Sequence, residues 1–161
     1  MISPKAFPWL IVLIVIGAFL ITFLSNKKSS VPSLYGFAPG QVWTYQTRPS
    51  EVDSRVTILK IESDPKFGEI AHISINNLRI KNKNAPGGFS KEIEHLPYSA
   101  EILHKNLVRQ IGNAPVPSFE EGYRMWKEAL DQGKAGVNTN SPAEAVESIE
   151  TVINSGTKTI E

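Results

Sequence analysis

The stretch EIAHISINNLRI, residues 69–80, decides the fold. Ala71, Ile73 and Ile75 alternate with His72 and Ser74, the period of a strand with one buried and one wetter face. At Asn76 and Asn77 the alternation breaks. Asn tolerates positive φ, so the pair either turns a tight hairpin or inserts a bulge that shifts the phase to Leu78 and Ile80. Both alternatives are open at this level.

Upstream, QVWTYQT (residues 41–47) and RVTILKI (residues 55–61) are short, β-branched and aromatic, and turn-forming RPSEVDS and SDPKFG separate the three strands. Loops of this length suit antiparallel neighbours. KNKNAPGGFS (residues 81–90) is a turn-rich loop, and KEIEHL after it adds a candidate edge strand.

From Ser99 the period becomes helical. Ile102, Leu103, Leu107 and Ile111 fall at helical spacing between Ser99, a candidate N-cap, and Gly112, a candidate C′ residue. Ser118 with Glu121, and Ser141 with Glu144, have capping-box spacing, and Pro142 stands at a first helical position. The second helix should stop near Gly133. The third should run from Pro142 to about Asn154 with Ala145, Ile149, Val152 and Ile153 on its apolar side. Strands first and helices afterwards predict an α+β domain: a small antiparallel sheet with about three helices packed on one face.

The start of the chain has another character. Residues 7–24, FPWLIVLIVIGAFLITFL, carry no charge over 18 positions, enough for a helix of roughly 27 Å, close to the hydrocarbon thickness. Trp9 and the Lys27–Lys28 pair suit the headgroup zones. No A-x-A pattern follows, so the expectation is an uncleaved anchor, not a cleaved signal. Residues 1–24 then form a transmembrane signal anchor, 25–33 a polar linker, 34–155 the α+β domain and 156–161 a tail. Lys5 with the amino terminus nearly balances Lys27 and Lys28, so loop charge does not fix orientation. The expectation is a single-pass protein of a bacterial inner membrane, its domain periplasmic or extracellular by the usual form of a signal anchor, with a cytoplasmic domain as the alternative.

Three of the 17 basic residues, Lys5, Lys27 and Lys28, lie in residues 1–33, where no acid stands, which leaves 14 bases against 16 acids in the rest. A net charge near −2 excludes the basic footprint of a nucleic-acid binder. With no cysteine, disulfides, thiolate nucleophiles and Cys-based zinc sites are excluded. His72, His95 and His104 are the only histidines. They lack H-E-x-x-H or H-x-H spacing, although His95 and His104 could approach where a strand hands over to a helix. No G-x-S-x-G or S-x-x-K context occurs, and PGG at residues 86–88 lacks the Lys of a phosphate loop. No catalytic, cofactor-binding or metal-ligating residue is assigned.

Phe119, Tyr123, Trp126 and Leu130 step by four, three and four, the stripe an amphipathic helix buries; core packing ranks ahead of ligand binding for it. Trp43, Arg48 and Trp126 are the candidate partner-binding residues. The expected function is a membrane-anchored, non-enzymatic protein-interaction domain of the bacterial envelope, its protein partner unidentified and without cofactor. A small-molecule or lipid binder with an apolar pocket between sheet and helices is the alternative, and a hydrolase using His95 or His104 ranks below both.

The segments GQVWTYQTRPSE (residues 40–51), IAHISINNLRIKN (70–82), IEHLPYS (93–99) and FEEGYRMWKEALDQGKAGV (119–137) together resemble a family of small bacterial proteins without a settled activity. The resemblance spans residues 37–153 and implies one compact domain. Relatives in that pattern more often show Asp-Gly where Asn76 and Asn77 stand, which favours a turn or bulge there. It transfers no functional residue.

Overall fold

A computed structural model describes residues 32–155. The anchor read at residues 7–24 and the tail after 155 lie outside them. Among the described residues no helix is long and apolar enough to cross a membrane. Three early strands pair in sequence order as antiparallel neighbours: β1 (Gln41–Tyr45), β2 (Arg55–Asp64) and β3 (Gly68–Asn76). Gly40 opens β1 at φ +89°, and a Cβ there would meet the Ala114 carbonyl oxygen at 2.8 Å, so only glycine fits.

Asn77 adopts φ 56° and ends β3. The chain nevertheless keeps its direction: Ile75 faces Ile93, the Leu78 N–H donates to the Lys91 carbonyl at 2.8 Å, and Ile80 faces Ser90. Short strands β4 (Ile80–Lys81) and β5 (Phe89–Ser90) thus extend the ribbon made by β3 and β6 (Ile93–Ser99). The bulge alternative holds, with Leu78 and Ile80 buried in the shifted phase.

After α1 (Ala100–Asn106) comes a departure from the expected helix. Residues Leu107–Asn113 form β7, which pairs with β1 and completes a sheet of order β6-β3-β2-β1-β7. Ser99 makes no cap bond. Asn106 ends the helix, its amide donating to the Ile102 carbonyl at 2.8 Å. The unpaired edge of β1 then offers ladder bonds that outweigh a marginal helical pattern. Two register shifts leave Ile111 and Val108 without partners on β1, and both side chains are exposed, 44% and 71%. Such bulges re-aim side chains and blunt a free edge. The other edge, β6, carries Pro97 and is partly closed by Asn138, whose N–H donates to the Pro97 carbonyl at 2.8 Å.

Helix α2 (Glu120–Asp131) and helix α3 (Pro142–Ser155) complete the α+β architecture. They cover opposite faces of the sheet, which corrects the expected one-sided packing. Ala71, Ile73 and Ile75 share a core with Val56, Ile58, Tyr98, Leu103, Ala145 and Val146, beneath α1 and α3. His72, on the other face by strand alternation, contacts Tyr123 and Trp126 of α2. His72 and Ser74 are therefore buried as well, not wet. On α3 the buried stripe uses Ala145 and Val146 with Ile149 and Ile153 packed beside it, while Val152 faces solvent.

Candidate functional site

The three candidate partner-binding residues do not form one patch. Trp126, 8% exposed, projects from α2 onto the sheet, its ring 4.9 Å from that of His72 at 72°, and its indole N–H donates to the Gly136 carbonyl at 2.8 Å. The aromatic stripe is packing. Trp43, half-buried, stands edge-on to Phe37 with centroids 5.9 Å apart and donates to the Gln41 side chain.

Arg48 is engaged inside the fold. Its Nε and one terminal nitrogen fork onto Glu51 at 2.8 and 2.5 Å, and the other reaches Glu150 of α3 at 2.5 Å. Glu51 is itself buried, and also accepts the Arg79 backbone N–H at 2.6 Å. Its bonds to Glu51 hold the guanidinium above its ordinary range despite burial. Burial would raise the Glu51 carboxyl, but Arg48 and the Arg79 N–H outweigh it and hold it low.

Around this ion pair runs an open groove of about 530 Å³ lined by Arg48, Pro49, Arg79, Lys81, Phe89 and Glu150, among others. The Arg79 guanidinium lies 4.8 Å over the Phe89 ring. Neither Arg79 nor Lys81 pairs with an acid among the described residues. A guanidinium placed over an aromatic ring engages it through charge and leaves its N–H donors for a carboxylate or phosphate. Sequence reasoning passed over these residues. The alternation of Arg79, Lys81 and Lys83 was the available signal, but the bulge at Asn77 obscured which way they point.

Beneath α2 lies a second constellation. His95, which by sequence could approach His104, meets His72 instead, Nδ1 of His72 standing 2.9 Å from Nε2 of His95. His104 is exposed and contacts Tyr35 and Phe37. The two imidazole centroids are 5.1 Å apart at 15°, longer than the nitrogen–nitrogen distance by about two ring radii, so the rings lie end to end in nearly one plane. At the far nitrogen of His72, Nε2, stands Glu62 Oε1 at 3.4 Å. That contact is too long and poorly aimed to count as a hydrogen bond, so this fully buried nitrogen lacks a well-formed one. Glu62 is bonded by Lys60 and by the Tyr123 hydroxyl, the latter at 2.8 Å, and Lys60 also reaches Tyr123.

Burial pushes the His72 imidazole down to about 4, with Glu62 opposing, and burial with Lys60 nearby lowers His95. Both rings are neutral at pH 7. Neutral rings give one consistent chain: His95 Nε2–H donates to His72 Nδ1, and His72 Nε2–H faces Glu62. Glu62 and His95 sit at opposite nitrogens, so the three do not converge on a point. Among the described residues no group of three or more His, Asp or Glu is arranged to hold a metal ion. Gly122 of α2 makes room for the pair, since a Cβ there would stand 2.8 Å from His95 Cβ. Sequence spacing could not join these groups because strand pairing does: Lys60 faces His72 across β2 and β3, and His72 faces Pro97 beside His95.

No family model matches this chain, and no curated protein or solved structure is similar enough to carry an argument, so the reading of both constellations rests on their own geometry.

Proposed function

We propose that the chain is a membrane-anchored, non-enzymatic interaction domain of the bacterial envelope that docks an acidic segment of another protein. The observation that carries the reading is the groove beside Arg48, where Arg79 and Lys81 present cationic donors without an acidic partner among the described residues. An aspartate- or glutamate-bearing segment would complete that surface, and Phe89 gives it an apolar floor. The membrane and envelope parts of the reading rest on residues 7–24 and their flanks. The alternative apolar-pocket binder needs an enclosed cavity beside the aromatic row of α2, whereas the groove at Arg48 is open and is lined by none of that row.

The hydrolase reading ranks below for a geometric reason. An imidazole and an acid do come together, but no Ser or Thr hydroxyl among the described residues hydrogen-bonds either ring, and α2 covers the pair.

A photocrosslinker placed at Ser90 of the full-length protein in membranes tests the proposal. A discrete adduct that poly-glutamate competes away, and that Arg79→Glu with Lys81→Glu abolishes, is the expected result. Adducts indifferent to both, or the same set from a crosslinker at Glu94, would remove it. A reporter active only outside the cytoplasm, fused after Glu161, is expected to work, and activity from a cytoplasm-only reporter would reverse the placement.

A further inference from the structure

The ring contacts and polar bonds that tie helix α2 to the sheet are of a particular kind. Its ion pairs Arg124–Glu128 and Lys127–Asp131 are internal and exposed. Trp126 is its one buried residue and bonds to Gly136 of the helix's own following loop. Contact with the sheet runs through Phe119, Tyr123 and Trp126 against His72 and His95, and through the Tyr123 hydroxyl to Glu62 and Lys60. Exposed loops flank it, with Gly133 at φ +70° on one side and the chain pinned to β6 again at Asn138.

The groups facing the imidazole pair are Lys60 and Glu62 from β2 and Tyr123 from α2, with Lys127 on the outer side of Trp126, 6.0 Å from its ring. A first proton is tolerated: placed on His95, it leaves His72 Nδ1 an acceptor and the chain to Glu62 intact. A second proton is not. Both nitrogens at the 2.9 Å junction then carry hydrogen and the bond becomes a repulsion between two cations, which Glu62, already shared with Lys60 and Tyr123, offsets only in part.

We infer that the Glu62–His72–His95 line is an acid-operated latch: entry of the second proton releases α2 from the sheet and uncovers the face of Phe119, Tyr123 and Trp126. The five strands stay folded with α1 and α3, because the core on their other face contains no histidine. The Arg48–Glu51 tie lies outside this line, its carboxyl held below the ordinary carboxylate value by Arg48 and the Arg79 N–H against the cost of burial.

Hydrogen exchange of the full-length protein between pH 7 and 4.5, corrected for intrinsic rates, tests this. Amides of residues 120–131 should lose at least tenfold in protection while those of β2 and β3 keep theirs. His95→Gln keeps a polar group at the junction but cannot take the proton, so its α2 should stay protected at pH 4.5. Should that variant already be open at pH 7, imidazole nitrogen shifts of the unaltered chain decide: the release of α2 must coincide with the second of two titration steps. A protected α2 at pH 4.5, simultaneous loss in helix and strands, an unchanged acid response in a folded His95→Gln, or release that tracks the first step would each overturn the latch.

Discussion

Glu51 is a buried carboxylate with three donors: two from the Arg48 fork and one from the Arg79 backbone. Removing its charge leaves a mostly buried guanidinium with Glu150 alone. Glu51→Gln should therefore cost about 2–4 kcal/mol, read as a lower urea midpoint at unchanged slope. Gly122 tests packing against propensity. Alanine would gain roughly 1 kcal/mol of helix propensity, but its Cβ would press on His95 Cβ, which is anchored to backbone and cannot swing away. Gly122→Ala should be less stable by about 1 kcal/mol in thermal unfolding, with the loss confined to α2 in hydrogen exchange.

The sign of the acid response follows from His72. Its folded value, about 4, lies below the ordinary histidine value, so the unfolded chain binds the proton first. Stability is full above about pH 6.5 and falls as acid is added, by about 3 kcal/mol at most once pH passes 4. Urea unfolding at pH 7, 5.5 and 4 should show this decline, and His72→Gln should flatten it. The stripe on α2 was legible from spacing as packing. What it packs on was not, because a polar ring at an alternating position reads as solvent-facing until the second helix is in place.

At the scale of elements, capping separates two similar motifs. Ser141 and Glu144 form the reciprocal box: the Glu144 N–H donates to Ser141 Oγ at 3.3 Å, and the Ser141 N–H to the Glu144 carboxylate at 2.8 Å. Ser118 and Glu121 have the same spacing, yet α2 begins at Glu120 with no side-chain cap bond, and Ser118 donates to the Glu120 carboxylate instead. Ser141→Ala should cost about 1 kcal/mol and Ser118→Ala under about 0.5, comparable by differential thermal unfolding. Three strands, α2 and α3 fall within a few residues of their expected ends, since each carries its own turn or cap residues. Residues 107–113 do not. Leu107 and Ile111 satisfy a helical period and Val108 and Ile111 suit a strand, so the outcome was set by the vacant edge of β1.

Across the whole molecule, sequence determined class and composition: strands before helices give an α+β chain, an uncharged apolar run occupies residues 7–24, and the absence of cysteine removes disulfide and thiolate chemistry. These follow from properties that each segment carries locally, namely period, propensity and charge. Tertiary structure alone decided which helix covers which face, that β7 completes the sheet, that Arg79 and Lys81 share a groove with Arg48, and that two histidines 23 residues apart join end to end. Each of these depends on register and on which edge or face is left uncovered, quantities that exist only once distant segments have paired.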